Sequence, residues 1–436
     1  CWISSRRSPA ISTTVPPSRT CVLLATEMVR IQTLLLLSAA AARVRSTRPT
    51  SSAAGAPWHS WKTVPLYWWG SSPYRAYDTQ TAAYAASHPV VITNGNYMCH
   101  ENGCHGGEEQ RLVDAATMLA ALNSSTSLFF YMNSMMNWQQ YDLHSFLTSQ
   151  HPEWLAVNTR GQTVCLDGQT IFNLSVSEMR SHWLGTVSRG LATGLFAGVF
   201  ADRAGPPLPR TAHAEQGGPG QSRLNGVLNA SGSCVSPPDG LSPFEYAESA
   251  YTAWAAGHSE MLLDAQRQAS EEMIVIANNN ATAGVRGRHF ERWAHTDFDK
   301  LTIAADIAAL QQAGANGQIA LVHGGEPCDR AAFSLSLAAF LIGASSEAYF
   351  ACTDGWLLSQ GWEKSQRFQE YDYLLGEPRG PAVQTRLPGG GIRYERTFGS
   401  GTHVTLELQE GATAAGTGCI YWAEGAVTGG LNCTHR

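Results

Sequence analysis

The strongest constraint on this chain's fold is a pattern that recurs from residue 64 onward. A short apolar run ends on polar or glycine residues, and an amphipathic stretch often follows. Parallel strands need a long connection between neighbours, and a helix usually supplies it, so this alternation reads as a parallel sheet with crossover helices. The apolar runs fall at residues 64–69, 89–93, 128–132, 195–200, 273–277, 289–293, 318–322 and 347–351. Helices are predicted over 108–122, 176–191, 244–270, 298–313 and 331–342; in the first, Leu112, Ala116 and Leu119 share one face. Eight runs with polar C-terminal ends match a (β/α)8 TIM barrel, an α/β fold. Between the fifth and sixth runs there is no room for a full crossover helix. Either that helix is missing or one strand is misassigned.

Two segments interrupt the pattern. A hairpin is predicted within 157–171, with Gly161 and Gly168 as turn residues. Residues 205–243 are dominated by Gly, Pro, Ser and Asn, and a loop of that length at the end of a barrel strand points to function or disorder. After a helix predicted around 362–374, the stretches 393–398, 403–408 and 418–422 alternate with period two between glycines, as a small antiparallel β domain does. The expected organisation is therefore a barrel over 60–376 and a β-rich C-terminal domain over 377–436.

The start of the chain has the marks of processing. Residues 1–27 are rich in Ser, Pro and Arg, without period. Met28, Arg30, the apolar stretch 31–42 and the small residues after it follow the order of a secretory signal peptide. We expect 1–27 to be an upstream extension, with a transit peptide as the competing reading, and 28–56 to be signal peptide and linker. The apolar stretch is too short to span a bilayer, and no other run is long enough, so no membrane association is expected after processing. Sequons at Asn123, Asn173, Asn229, Asn280 and Asn432 are candidate N-glycan sites. Setting aside Cys1 and Cys21 leaves an even set, Cys99, Cys104, Cys165, Cys234, Cys328, Cys352, Cys419 and Cys433, as an oxidised secreted or lumenal protein needs. Cys99–Cys104 and Cys419–Cys433 are candidate local bridges. The ligand-like residues in Cys99-His100-Glu101-Asn102-Gly103-Cys104-His105 have no second matching pair, so a disulfide is preferred to a metal site, and no metal or cofactor is expected. Pro388-Gly389-Gly390-Gly391 precedes a strand and not a helix, which makes it a turn and not a phosphate loop.

Charge excludes one class of partner. The formal net charge is −6, charged residues make up only 15%, and the lysines are Lys62, Lys300 and Lys364 alone, so nucleic acid is not expected. In a barrel the chemistry sits at the C-terminal ends of strands. Those positions here are Trp69, Asn94, Asn96, Tyr131, Asn133, Asp202, Arg203, Asn278, Glu291, Trp293, His323 and Asp354. Amides that hydrogen-bond hydroxyls and rings that stack on sugar faces suit a carbohydrate. Two carboxylates stand out. Asp202 closes the fourth run, and Glu291 sits in the sixth between Phe290 and Trp293, where apolar surroundings favour an acid. Glycoside hydrolysis uses such a pair, one protonating the leaving oxygen and the other attacking or activating water. We assign Glu291 as acid/base and Asp202 as nucleophile or base, with the roles open to exchange and Asp354 in reserve. The plainer readings are that Asp202 pairs with Arg203 or caps the next segment, that Glu291 pairs with Arg288 or Arg292, that His323 is a core histidine, and that the asparagines form turns.

These residues also resemble a known family. Phe196-Ala197-Gly198-Val199-Phe200-Ala201-Asp202 is similar to the fourth-strand motif of the TIM-barrel glycoside-hydrolase-like family, hypothetical glycosyl hydrolases with a C-terminal β tail. In that motif the final Asp is the catalytic candidate; Ala197 stands here where the motif has its first Asp. His289-Phe290-Glu291 resembles the later strand that carries the family's Glu. Tyr373-Leu374-Leu375-Gly376-Glu377-Pro378 and Arg396-Thr397-Phe398-Gly399-Ser400-Gly401 are similar to its ending, at the join to the β tail. The resemblance covers roughly residues 64–410 and implies hydrolysis of O-glycosidic bonds of an extracellular or lumenal glycan. The alternatives are a non-catalytic glycan-binding protein on a degenerate barrel and a structural wall or scale protein.

Overall fold

The computed structural model describes residues 59–70, 77–93, 107–204, 226–237, 239–269, 273–279, 282–294, 298–324, 328–353, 367–409, 416–429 and 433. The expected leader, Asn94, Asn96, the Cys99–Cys104 bridge, Asn280, Asp354 and Asn432 lie outside them.

In chain order the first part contains β1 (Tyr67–Gly70), α1 (Thr79–Ala86), β2 (Val90–Thr93), α2 (Glu108–Leu122), β3 (Ser127–Asn133), β4 (Met136–Asn137), α3 (Asp142–Gln150), β5 (Val164–Leu166), β6 (Gln169–Ile171), α4 (Ser177–Ala192) and β7 (Phe196–Asp202). The second part contains β8 (Gly226–Leu228), β9 (Cys234–Val235), α5 (Glu248–Gln268), β10 (Ile274–Asn278), β11 (Gly287–Trp293), α6 (Lys300–Ala315), β12 (Ile319–Gly324), α7 (Arg330–Gly343) and β13 (Ala348–Cys352). The eight-stranded parallel sheet has the order β1-β2-β3-β7-β10-β11-β12-β13. Its ends meet through a parallel bridge between Leu66 and Phe350, and the Phe350 N–H donates to the Pro65 carbonyl at 2.9 Å. The chain is a TIM barrel. Its strands are buried on both faces, as sheets covered by helices must be, which is why they read as unbroken apolar runs. Asp78, Asp299 and Asp329 cap α1, α6 and α7, each accepting a backbone N–H of its first turn.

The weak link of the pattern is a lost helix and not a misplaced strand. β10 and β11 pair directly in parallel, Ile276 against Gly287, and residues 279–286 alone connect them. Part of the predicted 205–243 loop is ordered differently from expectation. β8 and β9 join β4, β6 and β5 in a small antiparallel sheet, tied by the Cys165–Cys234 disulfide. The helix predicted around 362–374 is, in its described part, a single 3-10 turn, Gln369–Asp372.

The antiparallel sheet that follows is β14 (Val383–Arg386), β15 (Ile392–Thr397), β16 (His403–Leu408), β17 (Gly416–Tyr421) and β18 (Val427–Gly429), with the Cys419–Cys433 bridge at its end. It lies against α7, and this explains that helix's composition. Every residue from Ala332 to Gly343 is buried, because the barrel covers one side and the sheet the other. Close approach depends on glycine: a Cβ on Gly418 would stand 2.6 Å from that of Ala338. Arg396 fastens the two parts. Its guanidinium donates to the carbonyls of Leu341, Ile342 and Ala344 at 2.9, 3.3 and 2.7 Å, satisfying the open C-terminal end of α7. The Cys328–Cys352 disulfide links the loop before α7 to the end of β13.

Candidate active site

The barrel interior below the mouth is an aromatic floor. Trp69 meets Phe200, His289 and His323 at centroid distances of 4.7, 4.9 and 6.4 Å, and Tyr131 stacks on Phe200 at 5.9 Å. On this floor stand the two carboxylates, each placed by its strand end.

Asp202 is the last residue of β7, opposite Asn133 on β3. Four donors face it. The Tyr131 hydroxyl and the Asn133 amide donate to Oδ2 at 2.5 and 3.1 Å, and the Asn278 amide and the Arg203 backbone N–H donate to Oδ1, both at 2.7 Å. That is the setting of an anion. Burial, and then the neighbouring Asp202 charge, push the Tyr131 hydroxyl well above its ordinary range, so it stays a donor. Asn133 is held by its own neighbours: its Oδ1 accepts from the backbone of Met135 and Met136, and its carbonyl accepts from Trp183 Nε1 at 2.9 Å. Arg203, directly after Asp202, has φ +53° and sends its guanidinium away, to Asp167 at 2.7 Å. Asp167 belongs to the turn of the β5–β6 hairpin and has φ +51°. Burial lowers the Arg203 pKa, but the charges of Asp202, Asp167 and Glu291 outweigh it and hold the guanidinium above its usual value.

Glu291 is delivered by a bulge. Phe290 pairs with Val322 and Trp293 with Gly324, so Glu291 and Arg292 together oppose His323, and Arg292 takes φ +55°. Its Oε2 accepts from the amides of Asn278 and Asn279 at 3.1 and 2.9 Å, and its N–H donates to Asn279 Oδ1 at 3.0 Å. Burial first, and the Asp202 charge second, raise the Glu291 pKa, against the pull of Asn278, Arg203 and Asn279. Both amides enter Oε2, which leaves Oε1 to carry a proton. Neither Arg288 nor Arg292 is its partner among the described residues; they lie over the rings of Phe290 and Phe298.

One nitrogen thus serves both carboxylates. Asn278 Nδ2 bonds Asp202 Oδ1 at 2.7 Å and Glu291 Oε2 at 3.1 Å, so those two oxygens lie less than about 6 Å apart. Three residues in the left-handed region, Arg203, Asn279 and Arg292, each directly follow one of these site residues. Such backbone costs of order 1–3 kcal/mol per residue and recurs where a site is held in place by its surroundings.

The structure thus brings together Tyr131, Asn133, Asp202, Arg203, Asn278 and Glu291, with Trp69 in the floor. His323 lies lower, buried, with its Nε2 at 2.8 Å from Thr353 Oγ1 and its pKa lowered to about 3 by burial. Trp293, expected at the mouth, does not join them. The bulge adds one residue to the alternation, so Trp293 points outward and donates from Nε1 to the Ser336 carbonyl on α7 at 3.1 Å. Asn279, His289 and Tyr67 were not expected. His289 and Tyr67 stand two residues before Glu291 and Trp69, the spacing that puts strand residues on one face. Ala197, where the resembling motif has an Asp, sits in another bulge, five residues from Asp202 and so about 16 Å along the strand.

The model of hypothetical glycosyl hydrolase family 15 matches residues 120–402. A search of the curated proteins finds no match. Among solved structures the chain is similar to the cyclic alpha-maltosyl-(1→6)-maltose hydrolase of Arthrobacter globiformis, with 12% identity and a TM-score of 0.42 over 88% of this chain and 95% of that one. It is also similar to the GH36 alpha-galactosidase AgaB of Geobacillus stearothermophilus, with 10% identity and a TM-score of 0.47 over 83% of this chain and 50% of that one.

Proposed function

Because the chain belongs to hypothetical glycosyl hydrolase family 15, we propose that it is a retaining glycosidase in which Asp202 is the nucleophile and Glu291 the acid/base. The observation that carries this is the Asn278 amide shared by both carboxylates. A spacing below about 6 Å fits direct attack, whereas an inverting pair needs about 6.5–9.5 Å to admit a water. An Asp202 oxygen bonds the anomeric carbon as the glycosidic C–O bond breaks, and Glu291 gives its proton to the leaving oxygen. Water then attacks the same carbon, Glu291 takes back a proton from it, and the Asp202 ester is released. Residues 60–376 are the catalytic domain of this proposal and 377–436 its β-rich C-terminal domain.

The substrate class is an O-linked glycan met in the secretory pathway or outside the cell. Three disulfides support that location, and no helix among the described residues is long and apolar enough to cross a membrane. In the sequons of Asn123, Asn173 and Asn229 the serine hydroxyl donates to the asparagine Oδ1 at 2.7, 2.6 and 2.8 Å; Asn173 and Asn229 are part-exposed candidates for N-glycosylation, whereas the Asn123 amide nitrogen donates to the Ala86 carbonyl at 2.8 Å.

The test is a 2-deoxy-2-fluoroglycoside with a good leaving group, followed by peptide mass spectrometry and NMR of the first-formed anomer. Label on Asp202 with retained configuration is expected, and Glu291→Gln should lose about 10²–10⁴ in kcat on substrates with poor leaving groups. Inverted product, or full activity in Asp202→Asn, would refute the assignment.

A further inference from the structure

Beneath the carboxylates lies a hydrogen-bond chain that the two-carboxylate reading does not use. Tyr67 Oη is 3.0 Å from His289 Nε2, His289 Nδ1 is 2.7 Å from Asn278 Oδ1, and all three side chains are at most 2% exposed. The direction of every bond follows from its upper end. Asp202 Oδ1 and Glu291 Oε2 face only donors, whether or not Glu291 Oε1 bears a proton, so the Asn278 Nδ2 donates to both and its Oδ1 must accept. His289 therefore carries its hydrogen on Nδ1. Burial, with His323 adding to it, drives its pKa well below the ordinary value, so the ring is neutral and Nε2 is an acceptor. The Tyr67 hydroxyl donates to it. The tyrosine is itself held protonated, since burial and then the Glu291 charge raise its pKa far above the ordinary range.

We infer that Tyr67 and His289 are positioning residues: acting through Asn278, they keep the donor end of its amide against both carboxylates and so fix their spacing. The reasoning rests on what happens without them. An asparagine between a histidine and two acids has two near-isosteric orientations. With Oδ1 toward Asp202 and Glu291 the bridge becomes a repulsion. The histidine excludes that orientation only while Nδ1 bears the hydrogen, and the Tyr67 hydroxyl favours this, because with a hydrogen on Nε2 its own hydrogen would have no acceptor among the described residues. Removing one oxygen atom, in Tyr67→Phe, frees Nε2 to take the hydrogen, turns Nδ1 into an acceptor, and lets the amide rotate.

This inference deepens the proposed hydrolytic site, but its first readout does not need hydrolysis. Among the described residues, the groups facing Glu291 are Asp202 and Arg203 from β7 and the turn after it, Asn278 and Asn279 from β10 and the turn after it, and Tyr67 from β1; those facing His289 include Tyr67, Asn278 and His323. In the full-length protein labelled with ¹⁵N-histidine, the His289 ring should show the Nδ1–H tautomer, and Tyr67→Phe should shift it toward Nε2–H. With ¹³C-labelled carboxyls, Glu291 should titrate at higher pH in Tyr67→Phe and in His289→Leu, which lose the bridging donor. His289→Gln, which keeps one donor and one acceptor, should recover most of the shift. On a hydrolysed substrate, kcat should fall roughly 10–100-fold while KM stays within about twofold. An Nε2–H tautomer in the wild type, or an unmoved Glu291 titration in both Tyr67→Phe and His289→Leu, overturns the inference even if both variants lose thermal stability. A shifted titration in a protein that cleaves no glycoside sustains the positioning role and removes the hydrolase reading instead.

Discussion

Arg203 follows Asp202 in the chain, yet its guanidinium pairs with Asp167, 2.7 Å away on another hairpin. The left-handed backbone at Arg203 makes this possible, since it turns the side chain off the strand direction while the N–H still reaches Asp202 Oδ1. Asp167 therefore keeps a cation close to the proposed nucleophile without letting it bind there. Asp167→Asn should release Arg203 onto Asp202 and blunt the attack. We expect kcat to drop about tenfold with KM nearly constant, a loss of about 1.4 kcal/mol of transition-state stabilisation. Unchanged kcat would remove this role from Asp167.

The pH dependence of turnover should carry the signature of Glu291. Burial and the Asp202 charge raise its pKa, so the acid form needed for protonating the leaving group persists further toward neutral pH. Activity should be lost as pH rises through that raised pKa. Arg203 lowers it, so Arg203→Gln should move the alkaline limb of kcat/KM to higher pH. A limb that moves down, or one that survives unchanged in Glu291→Gln, would assign the limb to another group.

Acid stability should depend on buried neutral histidines. His258 is buried on α5, bonded through Nε2 to Ser134 Oγ at 3.0 Å, and that serine donates to the Asp202 carbonyl. Burial lowers its pKa from 6.5 to about 4. The unfolded chain binds the proton first, so the stabilising contribution is intact above pH 6.5 and drains away as pH falls from 6.5 toward 4. The shift corresponds to roughly 3 kcal/mol over that window. His258→Gln cannot titrate, and its Tm should fall less than the wild type's between pH 7 and pH 4. Parallel curves would contradict the linkage.

Arg396 should be worth more to stability than its surface-like residue type suggests. Burial lowers its pKa to about 10, and it is the donor for three carbonyls at the end of α7. Arg396→Met keeps the aliphatic stem but strands those carbonyls, and we expect about 2–4 kcal/mol of destabilisation by thermal or urea unfolding. Arg396→Lys should recover only part of it, since one ammonium cannot span what a guanidinium does.

The barrel was legible because its strands are buried on both faces and so stand out as apolar runs with polar ends. The strand-end rule named Asp202, Glu291, Asn278, Tyr131 and Asn133 by position and chemistry, and the structure brings them together. What escaped was governed by single-residue events. The bulge at Glu291 and Arg292 reverses the side of Trp293, and no pattern of residue types announces it. The strands β4, β8 and β9 are two or three residues long, too short to show a period, whereas the predicted hairpin within 157–171 is present as β5 and β6 with Gly168 in its turn. Tyr67 and His289 were hidden by being one layer below the mouth, where polar residues are read as core. In the motifs at the join to the C-terminal sheet, two residues have structural roles. Gly376, with φ +73°, lies where a Cβ would stand 2.8 Å from the Ser400 backbone, and Arg396 holds the end of α7.

The burial of α7 on both sides has a consequence for biosynthesis. A ribosome makes this helix before it makes β15, β16 and β17, the strands against its outer side. During that interval the nascent barrel leaves bare the side of the helix that carries Leu335 and Ala338, the kind of surface that chaperones bind and that aggregates when they do not. A chain cut after β13 would keep every strand of the barrel and still present that side permanently. For this protein, the strands made after the barrel decide whether the barrel stays in solution.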